Sequence, residues 1–384
     1  MSALFTEEHE MFRKTTREFV EREITPNAHQ WETAGIFPAR ELFTKMGSVG
    51  LLGVTYDPEW GGGGADHLYS AILGEELGRM PCLGVAMAIS VQTDMATPSL
   101  HRFGNDDLKE RFLRPAITGE QVAAIAVTEP DAGSDVAGLR TRAVRDGDDW
   151  VLNGVKRWIT NAGASEYYTV FAATDPSARS RGISAFVVEK SDEGFSVGEL
   201  EKKLGIKGSP TRELYFDNVR IPGDRMIGDE GTGFKLALET LDHTRVTIAA
   251  QAVGIAQGAL DYAAKYMQER KQFGKAIAEF QGLQFMLADM GMKLEAARQI
   301  TYASAAKSER GDADLRFFGA AAKCFASDVA MEITTDAVQI LGGYGYSKEY
   351  PVERMMRDAK ITQIYEGTNQ VQRIVMARHL LGQG

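Results

Sequence analysis

Cysteine is nearly absent: Cys82 and Cys324 are the two in 384 residues, and neither belongs to a C-x-x-C pair. That excludes a disulfide framework and a thiolate metal site, and both thiols read as small buried apolar side chains. Positive charge is also short. Lys+Arg 43 against Asp+Glu 53 gives a net charge of -10, the wrong sign for a protein whose main partner is nucleic acid. The histidines (His9, His29, His67, His101, His243 and His379) show neither H-x-x-x-H nor H-E-x-x-H spacing, so no metal site is expected. No apolar run reaches the roughly 18 residues that a membrane span needs. The opening MSALFTEEHEMF lacks the basic and apolar regions of a secretory signal, and a reduced cytoplasm is the expected setting. The phosphate-binding G-x-x-x-x-G-K-[ST], a G-x-G-x-x-G between strand and helix, and the G-x-S-x-G elbow are all missing. P-loop, Rossmann and serine-hydrolase chemistry go with them.

What is present falls into three regions. From Thr6 to about Gly119 the pattern is helical, with Phe12, Thr16, Phe19 and Val20 on one stripe, a stop at Pro26 and a loop at PEWGGGG (58–64). From about Val122 to Ile227 it turns strand-like. Val122–Val127, Tyr167–Ala173, Ile183–Val188 and Leu214–Phe216 are rich in β-branched and aromatic residues, and Asp146-Gly147 and Asn153-Gly154 read as hairpin turns. After Gly231 long helical stripes take over: Phe234 to Tyr266, Leu283 to Ala297 and Phe318 to Ile340. Apolar residues off these stripes predict helices buried on several sides and hint at subunit packing. The expectation is an α+β fold: an N-terminal α-helical domain (1–121), a central antiparallel β-barrel (122–229) and a C-terminal four-helix bundle (230–384).

Five stretches point to chemistry: AVTEPDAGSDVAG (126–138), WITNA (158–162), ERKQFGK (269–275), QILGGYGY (339–346) and QIYEGTNQVQR (363–373). In this order and spacing, through essentially the whole chain, they resemble the acyl-CoA dehydrogenase family. The resemblance implies FAD held without a Rossmann fold, which accounts for the missing glycine fingerprint. It implies α,β-dehydrogenation of a fatty acyl-CoA to a trans-2-enoyl-CoA, as in β-oxidation, with electrons passing to an electron-transferring flavoprotein. Glu366 is then the base that takes the α-proton while flavin N5 accepts the β-hydride.

The same resemblance assigns the remaining roles. Val127 and Thr128 lie along the flavin ring, Trp158 packs against it and Thr160 donates near N5. Arg270, Gln272 and Phe273 reach a neighbouring subunit's FAD, with Gln339 and Gly343 toward its adenosine end and Thr368 and Gln370 also on the cofactor. These contacts between subunits imply a homo-oligomer, a dimer of dimers. Ser134, Asp242, Arg245, Tyr365 and Gly367 belong to the acyl-CoA side. Thr368 can also cap the helix that follows. Where one branch of the family carries its base on the long helix, this chain has Thr244, which cannot serve as a base. Asp131 stands where glycine is common. The competing readings are an acyl-CoA oxidase or other flavoprotein on the same scaffold, a decarboxylating enzyme of the glutaryl-CoA type, and a non-catalytic helical scaffold. The stop at Gly384 without S-K-L argues against a peroxisomal oxidase.

Overall fold

The computed structural model describes residues 4–383. Thr6 starts the first helix, Glu7–Phe19 (α1): its hydroxyl accepts from His9 N, and the His9 ring answers at the Thr6 backbone, closing a reciprocal cap. At Pro26 the chain does not stop; it runs through a π turn, Val20–Ile24, and a 3-10 turn, Thr25–Asn27. Asp66 caps His67–Gly78 (α2), and Leu83–Ser90 (α3) is buried throughout. A second π turn, Val91–Ala96, continues α3.

The middle region is one eight-stranded sheet. Its strands are Ala123–Ala126 (β1), Arg142–Asp146 (β2), Asp149–Thr160 (β3), Tyr167–Ala173 (β4), Ile183–Glu189 (β5), Phe195–Val197 (β6), Thr211–Ile221 (β7) and Met226–Ile227 (β8). The order β6-β7-β3-β2-β4-β5-β8, with β1 on β4, corrects the expected antiparallel barrel. The sheet is mixed, because β4 lies parallel to β1 and to β2. It is also open, because short β6 and β8 end it without pairing to each other. Asp146-Gly147 makes the predicted hairpin between β2 and β3. Asn153-Gly154 does not turn; it sits inside β3 at a register shift against β7. Gly154 has φ 152, and an added Cβ would lie 2.5 Å from Thr141 Oγ1. The glycine serves a bulge and a close approach.

Three long helices follow: Gly233–Glu269 (α4), Gln281–Arg310 (α5) and Leu315–Leu341 (α6). Val352–Thr362 (α7) and Asn369–Leu380 (α8) pack onto α6. Every residue of α4 from Thr244 to Ala256 is buried. Within one chain α2 and α6 already cover this stretch, so the all-round apolar pattern needs no second subunit there. Contact with α2 is backbone to backbone: a Cβ on Gly254 would stand 2.2 Å from Glu75 O. Glu75 is itself a buried hub, bonded by Arg13 of α1 at 3.0 Å and Arg298 of α5 at 3.1 Å. Cys82 and Cys324 are free and buried. No described helix is long and apolar enough to cross a membrane.

Candidate active site

Glu366 stands in the turn between α7 and α8. Thr368 caps α8, its Oγ1 accepting from Val371 N at 3.3 Å. Just before it, Glu366 has φ 57 and Gly367 φ 85, left-handed backbone that folds the turn back on itself. The Glu366 carboxyl thereby meets α4, where Thr244 Oγ1 donates to its Oε2 at 2.6 Å. Burial raises its pKa, and the Thr244 bond, Arg245 and Lys323 pull the other way. These opposing influences bring a carboxyl toward the range useful for proton abstraction.

The turn is held from behind. Lys323 Nζ, buried in α6, donates to Gly367 O at 2.8 Å and to Asn369 Oδ1 at 3.0 Å. Burial lowers its pKa to about 8 against the pull of Glu366. Gln372 Nε2 donates to the Glu366 carbonyl at 2.9 Å. On α4, Arg245 Nη1 pairs with Asp242 Oδ1 at 2.6 Å. The Tyr365 hydroxyl and Arg245 Nε are buried without a hydrogen-bond partner among the described residues, which leaves two polar atoms free for a ligand.

A second group forms where β1 leaves the sheet. Lys156 Nζ donates to Val127 O at 3.0 Å, and Arg157 N to Thr128 O at 2.9 Å, so both carbonyls are turned into the protein. Lys156 also bonds Glu129 Oε1 at 2.8 Å. Burial acts to raise the Glu129 carboxyl, but Lys156 outweighs it and the pKa is lowered. Burial brings Lys156 down to about 8. Beside this segment Trp158 has φ 63 and is 51% exposed, with the Arg157 guanidinium 4.8 Å from its ring. Thr160 is half-buried at the end of β3, and Ser134 is exposed in the β1–β2 loop. Asp131 pairs with Arg140 on the surface at 3.1 Å, so its charge is met locally.

The third group lies past α4. Lys271–Gln272 (β9) and Lys275–Ala276 (β10) form a hairpin with Phe273 at its tip, at φ 52 and 93% exposed. The Arg270 guanidinium lies 5.1 Å from the ring of Tyr344, in the turn Gly342–Tyr346 that follows Gln339 at the end of α6. A Cβ on Gly343 would meet nothing within 4 Å. Among the described residues, no hydrogen bond or ring contact joins this group to Glu366 or Trp158. Gln370 is exposed on α8.

Models of three acyl-CoA dehydrogenase domains match the chain: the N-terminal domain over 6–120, the middle domain over 124–219 and the C-terminal domain over 231–381. The chain belongs to the acyl-CoA dehydrogenase family. "Probable acyl-CoA dehydrogenase fadE25" of Mycobacterium leprae is 57% identical over 376 residues, 98% of this chain and 96% of the relative. Butyryl-CoA dehydrogenase from Megasphaera elsdenii is 44% identical with TM-score 0.95, covering 99% of this chain and 100% of that one. A solved chain described with the electron transferring flavoprotein of Acidaminococcus fermentans is 46% identical with TM-score 0.96, over 99% and 100% of the two chains. As an acyl-CoA dehydrogenase the protein is an oxidoreductase acting on acyl-CoA thioesters.

Three groups of this acyl-CoA dehydrogenase escaped sequence reasoning: Lys323, Lys156 and Asp94. Lys323 carried a signal, a lone cation in the apolar run AAAKCFA; such a residue is buried only with partners. Lys156 in LNGVKRW carried less, because its partner Glu129 is 27 residues away. Asp94 lies in the π turn after α3, a geometry no sequence period announces.

Proposed function

We propose that this acyl-CoA dehydrogenase converts a fatty acyl-CoA to the trans-2-enoyl-CoA with Glu366 as the base and FAD as cofactor. The observation that carries the reading is the Glu366 carboxyl, desolvated and bonded to Thr244 at 2.6 Å. The residues present fit FAD. Trp158 offers an exposed ring face beside a Val127–Thr128 segment whose carbonyls are fixed, and offset stacking on such a face adds about 0.5–1.5 kcal/mol. Arg270 supplies a planar cation suited to a pyrophosphate, beside a Gly343 open to close approach. Thr160, Gln272, Phe273, Gln339, Thr368 and Gln370 would complete the cofactor's surroundings.

When bound, FAD supplies the acceptor for the β-hydride. Glu366 takes the proton from the α-carbon, and its backbone N–H faces the thioester oxygen, stabilising the developing enolate. Tyr365 and Gly367 shape the slot around the reacting carbons. Asp242 and Arg245, paired on α4, hold the polar arm of CoA, and Ser134 lies along its path. The Phe273 hairpin completes a partner subunit's cofactor site, which makes the working unit a dimer within a dimer of dimers. The relative described with an electron transferring flavoprotein supports such a flavoprotein as electron acceptor.

Glu366→Gln tests the base. The variant is expected to bind FAD and acyl-CoA and to leave the flavin unbleached by substrate. Bleaching at the normal rate moves the base elsewhere. Light scattering that finds a monomer still holding FAD contradicts the shared cofactor site.

A further inference from the structure

A cavity of about 170 Å³ opens beside Thr244, on the face of α4 that also bears Thr240 and Thr247. Opposite that face lie Ser70, Thr93 and Asp94, and Pro98 is the sole aliphatic wall. A chamber that received only an alkyl tail would be lined with aliphatic side chains, since an unpaired polar wall costs free energy whenever an apolar group dries it. Here hydroxyls, a carboxyl, the imidazoles of His67, His101 and His243 and the Arg102 guanidinium line the space, and Thr244 on its wall carries the bond to Glu366.

Asp94 is placed there by the π turn Val91–Ala96, which widens the helix by one residue per turn and re-aims the side chain. Burial pushes its carboxyl up to about 7, opposed by hydrogen bonds from Ser90, Thr247 and Thr93. Glu366 is close enough to raise it further. The spacing of the two carboxyls follows from α4. Thr244 bonds Glu366, and Thr247, three residues further along α4, lines the cavity together with Asp94, so the two carboxyls are separated along the helix by roughly one turn, about 5 Å. With the α-carbon at Glu366, Asp94 meets the acyl chain a few carbons further out.

We propose that Asp94 is a specificity-determining residue that hydrogen-bonds an uncharged polar group, a hydroxyl or ketone, on the outer acyl chain of the substrate. The inference rests on the assignment of Glu366 as the base. A protonated Asp94 donates to a ketone, and an ionised one accepts from a hydroxyl. A terminal carboxylate is disfavoured there once Asp94 is ionised, which separates this substrate class from dicarboxylyl thioesters.

The test compares hexanoyl-CoA, 5-hydroxyhexanoyl-CoA and adipoyl-CoA on FAD-loaded oligomer. Dissociation constants are measured on Glu366→Gln, and flavin bleaching rates on the wild-type protein and on Asp94→Leu. The hydroxylated thioester is expected to bind about tenfold tighter than hexanoyl-CoA, the effect of one net hydrogen bond. Asp94→Leu is expected to keep its FAD and to reverse that ranking in kcat/KM. Equal ranking in the two proteins, or adipoyl-CoA preferred through Arg102 at the cavity, overturns the proposal and leaves Glu366 untouched. Absence of bleaching with all three thioesters in the FAD-loaded wild-type protein overturns both readings.

Discussion

Thr244, 122 positions before Glu366 in the chain, donates a hydrogen bond from its hydroxyl to the Glu366 carboxylate at 2.6 Å. This bond favours the ionised form of a carboxyl that burial would otherwise keep protonated. Replacing Thr244 by Val removes the donor and keeps the shape. The pKa of Glu366 then rises, and because a base works deprotonated, the acid limb of the kcat/KM profile moves to higher pH. At neutral pH the rate is expected to fall about tenfold, the effect of losing one hydrogen bond to a charged group. Thr244→Ser restores the profile. An unmoved limb in Thr244→Val would reduce the hydroxyl to a packing role.

Lys323→Met keeps the bulk of a buried side chain and removes its three protons. Gly367 O and Asn369 Oδ1 each lose their charged donor and keep only Gln372 Nε2 and Ser327 Oγ, at a cost of about 1–3 kcal/mol. The melting temperature is expected to drop, and substrate bleaching of the flavin to slow at temperatures where the variant is still folded. A variant that melts early yet bleaches at full rate when folded shows that the turn does not depend on this clamp.

Acid should loosen the segment next to Trp158. The pKa of Glu129 is lower in the folded protein than in the unfolded chain, so the unfolded chain binds more protons as pH falls. The stability contributed by this carboxyl is therefore fully present above its ordinary value and is lost as pH drops through the folded one. Glu129→Gln leaves Lys156 buried without its counter-ion, expected to cost about 3–5 kcal/mol. Urea midpoints of the two proteins should converge at low pH; a constant gap down to pH 3 contradicts the linkage.

Gly254→Val forces α2 away from α4, since even a Cβ would stand 2.2 Å from Glu75 O. Overpacking of this kind costs about 1–3 kcal/mol, and here it also disturbs the Arg13 and Arg298 bonds to Glu75. Gly291→Ala on α5, where an added Cβ meets nothing, is the control expected to melt no lower than the parent. Equal melting of Gly254→Val and Gly291→Ala would show that the crossing yields freely.

Much of the architecture is readable from local pattern. Tyr167–Ala173 appears as a strand with the bounds the residues suggest, and the stripes after Gly231 become α4, α5 and α6. What pattern misses is pairing at a distance. Nothing in Ala123–Ala126 says that it runs parallel to β4, and the turn chemistry of Asn153-Gly154 yields to Thr141 across the strand. The family resemblance names Glu366, Arg245 and Asp242, and the fold brings Arg245, paired with Asp242, close to the Glu366 turn. It is silent on Thr244 as a donor, on Lys323 and on Asp94, whose effects depend on burial and on neighbours far along the chain.

Glu366, Trp158 and Phe273 are three of the seven non-glycine residues held at positive φ among those described. An L-residue there gives up about 1–2 kcal/mol, and glycine would recover most of it. Screening a library for heat tolerance alone would therefore drift toward glycine at these three positions. On the roles proposed for these residues, the hardiest survivors would be colourless, inert proteins with an intact scaffold.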